Sequence, residues 1–267
     1  MTAEVKHAAR KAESSRAFRV VARAGYAANG LVHVLIGVIV LVVAFGGKGE
    51  TDQIGAFKAV ASAPAGFVAL WILAIALLAL GIYHALEGIL ARGGDAAKKW
   101  GRRVAEFGQA IVFAALGVIS ASVALGAKPN ADRSAEDASR GVLAIPGGAL
   151  VLGLVGIGIG IGGVAFVVMG VRRSFENRMT QPPGPLGAAV KGLGIVGFIA
   201  KGVALVIIGI LLLVAAVKVE PTAAGGLDAA IDALLAQALG PVLVGGVGGG
   251  LIAYGVFCFF RAPYADL

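Results

Sequence analysis

The chain has 267 residues, of which 58% are hydrophobic and 14% charged, with a net charge of +8 and a mean hydropathy of +0.91. Soluble domains carry about a quarter charged residues, so a soluble globular protein is excluded. So is a separate soluble domain, because the longest polar segments run to about two dozen residues, too few to bury a core.

Residues 1–23 are basic and Ala-rich, with no separate apolar core or small-residue cleavage site. They predict a cytoplasmic N-terminal segment and no cleavable signal peptide. Six apolar runs follow, near 24–46, 66–91, 104–126, 147–171, 193–217 and 241–260. Each is long enough to span roughly 30 Å of hydrocarbon. Residues 261–267 form a short tail. The single cysteine, Cys258, lies in the last run, excludes an intramolecular disulfide and reads as a small buried hydrophobe.

Three segments open alike: GYAANG at 25–30, AEFGQA at 105–110 and GFIAKG at 197–202. Aligning Gly37, Gly117 and Gly209 places Asn29, Gln109 and Lys201 at one equivalent position, and Tyr26, Glu106 and Phe198 at another. Each opening leads through an apolar helix and a polar connection to a second apolar helix. The repeats are 24–91, 92–171 and 172–260, and a threefold repeat of this kind sets the architecture. In the outer connections, Leu227, Ile231, Leu234 and Leu235, and likewise Ile54, Phe57 and Ala61, predict short helices lying in the interface. Pro64, Pro146 and Gly240-Pro241 mark a break before, or in the first turn of, the following span.

The charge is distributed by side. Residues 1–23 carry six Lys/Arg against two acids, 92–103 five against one, and 172–192 four against one. The alternate connections carry two against two, three against three and one against three. This asymmetry predicts both termini and the two basic connections in the cytoplasm of a bacterial inner membrane. It assigns the basic charge to topology and anionic lipid rather than to nucleic acid. Parallel repeats share an axis along the membrane normal. The expected fold is all-α: six transmembrane helices as three parallel two-helix repeats around a pseudo-threefold axis, with short outer interfacial helices.

Polar residues within the spans gather toward the cytoplasmic end: Asn29, His33, His84, Glu87, Glu106, Gln109 and Lys201. Intramembrane ionisable groups are costly and normally face a bundle interior or water. Lys201 is therefore expected near Glu87 or Glu106, and the set as pore-lining or ligand-binding along the pseudo-axis. His33 and His84 are the one pair of span histidines and the only candidates for haem ligation; no cofactor or metal is otherwise expected. Gly156, Gly158, Gly160, Gly162, Gly246 and Gly250 have small-xxx-small spacing and are expected to pack helices closely. There is no nucleophile elbow, His-Glu-x-x-His or acid pair, so no catalytic residue is assigned and no enzymatic activity is expected. The leading expectation is binding or transport of a small solute, ion or lipophilic molecule. The alternative is a structural or assembly subunit, whose partners are lipids or another membrane complex.

The openings Gly25–Gly30 and Gly197–Gly202, with Gly81-Ile82-Tyr83 and Ala253-Tyr254 in the later spans, resemble the family catalogued as domain of unknown function 1206. The middle repeat departs most, with Ala105, Ala110 and Glu106 at the opening. The resemblance implies a six-span bacterial inner-membrane protein. It lends no activity and no functional residues.

Overall fold

A computed structural model describes residues 16–91 and 95–264. Among these residues there are nine α-helices, two short 3-10 turns and no strand. The helices are α1 (Arg16–Ala44), α2 (Gln53–Ala61), α3 (Gly66–Leu90), α4 (Ala96–Ala124), α5 (Ala131–Leu143), α6 (Gly148–Arg172), α7 (Pro185–Lys218), α8 (Leu227–Leu235) and α9 (Gly240–Tyr264). Helices α1, α3, α4, α6, α7 and α9 are long and apolar enough to cross a membrane. Their outward residues include Ile72, Ile75, Ile111, Leu150 and Ile161, all more than half exposed. Such a surface would aggregate in water and suits lipid.

Helices α1, α4 and α7 start earlier than their apolar runs. Asp95 caps α4 by accepting from the Lys98 N–H at 2.7 Å, and Pro185 opens the first turn of α7. Charged residues of the connection are thereby drawn into the helix. The expected outer helices are α2, α5 and α8. In α8, Leu227 and Ile231 are buried; in α2, Ile54 and Phe57 are buried but Ala61 is exposed, so the first stripe is one residue shorter than its spacing predicts.

The break before each second span is one turn used three times. Ala63, Ile145 and Gln237 donate to Val60, Val142 and Leu234, and then Gly66, Gly148 and Gly240 donate to Ala63, Ile145 and Gln237, each of the latter at 2.9 Å. A Cβ on any of these glycines would overlap a carbonyl oxygen of the preceding outer helix: Val60, Val142 or Leu235. Glycine is required there by close approach.

The chain divides into two units. The first comprises Met1–Asn29, Ala59–Ala127 and Cys258–Leu267; the second comprises Gly30–Lys58 and Lys128–Phe257.

In the first unit α3 and α4 pack tightly. A Cβ on Gly81 would stand 3.1 Å from the Ala110 oxygen, and one on Gly117 would stand 3.1 Å from the Ala74 oxygen. Glu106, Ala110, Phe113, Gly117 and Ser120 form the buried stripe of α4, and Ser120 Oγ donates to the Leu70 carbonyl at 3.0 Å. The first turns of α1 join them, Gly25 lying against Ala76 and Leu80.

In the second unit the same contact recurs twice. Gly156 faces Gly209 and Gly163 faces Gly202 between α6 and α7; Gly37 faces Gly248 and Gly30 faces Gly255 between α1 and α9. As one residue number rises by seven its partner falls by seven, so each pair is antiparallel and in van der Waals contact along two turns. Close backbone approach supplies the dispersion that replaces the hydrophobic drive in lipid. These are the close packers, with Gly250 against Ala200. Of the small-xxx-small set, Gly156 and Gly250 pack as expected. Gly160 gives its backbone to the contact with Gly209; Gly158, Gly162 and Gly246 do not pack, since a Cβ on any of them would meet open space. The outer helices are joined through their first turns: Asp228 Oδ1 accepts from the Thr51 N–H at 2.9 Å and hydroxyl at 2.6 Å, and Asp132 Oδ1 accepts from the Gly226 N–H at 2.7 Å.

Candidate functional site in the membrane-spanning helices

His84 lies on α3, on the face buried by Leu77, Leu80 and Gly81; Glu106 begins the buried stripe of α4. Glycine at 81 and 88 brings the two helices close enough for the side chains to meet. His84 Nδ1 and Glu106 Oε2 are 2.8 Å apart, with 3% and 4% of the two side chains exposed. An ionised carboxylate only accepts, so the Nδ1 facing it carries a proton; in the neutral ring Nε2 then presents a lone pair. Phe113 stacks on the imidazole at 5.3 Å, while Tyr83 and Tyr26 meet it edge-on at 5.3 and 6.4 Å. Within this aromatic wall Nε2 is buried and makes no hydrogen bond.

Around the pair, Arg261 donates to the Tyr26 hydroxyl at 3.4 Å, with its guanidinium 4.5 Å above the Tyr26 ring. Glu87 accepts from Arg102 at 2.7 Å, nearer the surface. Asn29 is buried and donates to Cys258 Sγ at 3.6 Å, tying α1 to α9. Gln109 is half-buried on α4.

The second unit holds the other two candidates. Lys201 Nζ stands 4.4 Å above the Tyr254 ring and 5.2 Å from the Phe166 ring, in cation–π contact. The His33 ring lies 4.7 Å from Tyr254. In the first unit Glu106 engages His84 and Glu87 engages Arg102. Among the described residues no group of three or more His, Cys, Asp or Glu side chains is arranged to hold a metal ion.

Counting from the three turn glycines, His84, Phe166 and Cys258 are equivalent, each eighteen residues into its span. Two of their neighbours across the helix pair, Glu106 and Phe198, are equivalent too; the third, Asn29, lies one turn on, at the position of Gln109 and Lys201. Where α3 and α4 hold His84 against Glu106, α6 and α7 hold Phe166 stacked on Phe198 at 5.7 Å, and Cys258 of α9 meets Asn29 of α1. One fold position thus carries an apolar, a weakly polar and an ionisable side chain in the three repeats. Sequence reasoning singled out His84 and Glu106 but not their pairing, and it missed Arg261 and Phe166. The eighteen-residue spacing was a signal available for Phe166 and Cys258.

Relatives agree with this organisation. The family model described as a Domain of Unknown Function (DUF1206) matches three times, at residues 24–91, 106–173 and 196–265. Uncharacterized protein YxxB of Bacillus subtilis is 27% identical over 249 residues, which cover 92% of this chain and 90% of that protein. No solved structure matches. Three family matches, on the three repeats that share the turn glycine and the close helix pair, place the chain in the domain of unknown function 1206 family of polytopic membrane proteins.

Proposed function

We propose that this protein binds, and carries across the bacterial cytoplasmic membrane, a small solute or ion that engages His84. The observation that supports this reading is the buried His84–Glu106 pair with an unpartnered Nε2. Ionisable groups in a span are expensive, and the equivalent place between α6 and α7 is filled by two phenylalanines. Packing alone does not call for the costlier pair. A carboxylate behind a histidine orients the ring and makes Nε2 a better acceptor or ligand. The matching occupant donates a hydrogen bond, as an alcohol or ammonium does, or is a cation that takes the nitrogen lone pair.

A second reading, a non-transporting assembly subunit, draws on one observation. Gly158 and Gly162 on α6, and Gly245 and Gly249 on α9, leave open space beside the helix. Such stripes suit the approach of another membrane helix.

One variant separates the readings. His84→Phe with Glu106→Phe copies the Phe166–Phe198 pair and is expected to keep the fold. Protein in lipid nanodiscs is screened by thermal shift against small amines, alcohols and mono- and divalent cations. One class is expected to raise the melting temperature of the wild type and leave the double variant unmoved. If no class acts, and uptake of these probes into vesicles equals that of empty vesicles, the binding reading fails and the assembly reading stands.

A further inference from the structure

The connection between α6 and α7 borders an open pocket of about 570 Å³. Arg172, Arg173 and Lys191 line it, with Ser174 and Asn177 as neutral polar groups and Glu176 as the one acid. Glu176 engages Lys191 at 3.2 Å, which leaves the two arginines in excess. The cavity is held open by its own connection. Phe175 is buried, stacked on Phe198 at 5.2 Å and edge-on to Phe257 at 5.2 Å, so the 3-10 turn Ser174–Arg178 is pinned beneath it. Arg173 is held at φ 58°, ψ 24°, a left-handed conformation that glycine normally supplies. An arginine there carries backbone strain and brings a positive charge to the lining of the cavity.

The setting selects the ligand. Arg172 ends a membrane span, and below it Val164, Val168 and Val171 present exposed apolar surface. Val168 also lines the cavity. Cations at the end of a span above a lipid-facing apolar strip match a phosphate headgroup above its acyl chains. Basic pockets between spans on the cytoplasmic side bind such headgroups. Guanidinium pairs grip phosphate oxygens bidentately.

We propose that Arg172, Arg173 and Lys191 form a specific site for a phosphate group, that of an anionic phospholipid in the cytoplasmic leaflet. The site is separate from His84 and stands or falls independently of it.

The test uses the full chain in detergent, with phosphatidylglycerol, phosphatidylcholine and inorganic phosphate added separately. Phosphatidylglycerol is expected to raise the melting temperature, and phosphatidylcholine is not. Arg173→Gly removes a charge and relieves the left-handed backbone, so it is expected to melt no lower than wild type without lipid. It should nevertheless bind phosphatidylglycerol about fivefold more weakly, as should Arg172→Gln. Arg133→Gln, at the opposite end of the spans, serves as the charge control and is expected to bind as wild type does. Equal weakening by Arg133→Gln, or undiminished binding by both Arg172→Gln and Arg173→Gly, overturns the site. Protection by inorganic phosphate as strong as by the lipid, lost in the same two variants, overturns the lipid as its source.

Discussion

His84 and Glu106 satisfy one another at 2.8 Å, so removing one leaves the other buried and under-satisfied. Breaking one side of a buried ion pair commonly costs about 3–5 kcal/mol, whereas replacing both by packed apolar groups can be neutral. Glu106→Ala is therefore expected to lower the melting temperature sharply, and His84→Phe with Glu106→Phe to recover most of the loss. A double-mutant cycle on detergent melting reads the coupling; additive effects would show that the two side chains do not act as a pair.

A second residue-scale expectation concerns Asp52, which caps α2 by accepting from the Gly55 N–H at 2.8 Å. Burial, with the nearby Asp228 and Glu50 carboxylates, raises its pKa from 3.8 to about 6 despite the hydrogen bond from Gly55. The folded protein thus holds this proton while the unfolded chain has released it. The Asp52 contribution is fully favourable below about pH 4 and is lost as pH rises to about 6, a difference of order 3 kcal/mol. Asp52→Asn keeps an oxygen for Gly55 and is expected to flatten that part of the stability–pH curve and to stabilise at pH 7. An unchanged slope between pH 4 and 6.5 would assign the dependence to another group. At this scale the sequence was informative about type and depth. Asn29, His33, His84 and Glu106 are all buried, as polar residues on one helix face should be. Their partners were not legible, because a partner lies on another helix at a rotation that no periodicity within one helix reports. Asn29 meets a cysteine, and Lys201 meets aromatic faces.

Between helices, the close contacts fall every seven residues, at Gly156 and Gly163 against Gly209 and Gly202. A Cβ on Gly163 would lie 2.7 Å from the Gly202 oxygen, while one on Gly158 has nothing within 4 Å. Gly163→Leu is expected to separate α6 from α7 and to destabilise by about 1–3 kcal/mol or more; Gly158→Leu should melt near wild type. Equal melting of the two variants would contradict the seven-residue interface. The glycine-rich run 153–163 was easy to see and hard to orient, since with a glycine at nearly every second position every face of the helix carries small residues. The facing glycines on α7 break the tie, and they lie about 40 to 50 residues away in sequence.

For the whole molecule the repeat, the six spans and the outer helices were all legible, because each rests on local composition repeated three times. Charge asymmetry further expects the α3–α4 and α6–α7 connections to face the cytoplasm. Cys258 is buried with no exposed surface, so introduced thiols report alone. Cysteines at Lys98 and Asn177 should resist an impermeant thiol reagent in intact cells, and one at Arg133 should react; the reverse pattern would invert the topology. What composition does not reveal is that the tight pairs join different repeats. Helix α3 meets α4, α6 meets α7, and α9 returns to α1.

That last pairing has a consequence in time. The α3–α4 and α6–α7 hairpins find their partners almost as soon as they leave the ribosome. The Gly30 and Gly37 seat on α1 waits for Gly255 and Gly248, roughly 200 residues later, or about 10–40 s at ordinary rates of synthesis. Throughout that interval a groove shaped for a helix backbone stands open to lipid, insertion machinery or a neighbouring nascent chain. A chain truncated near residue 235 and released would therefore leave two closed hairpins and one vacant seat, a form for membrane proteases to recognise.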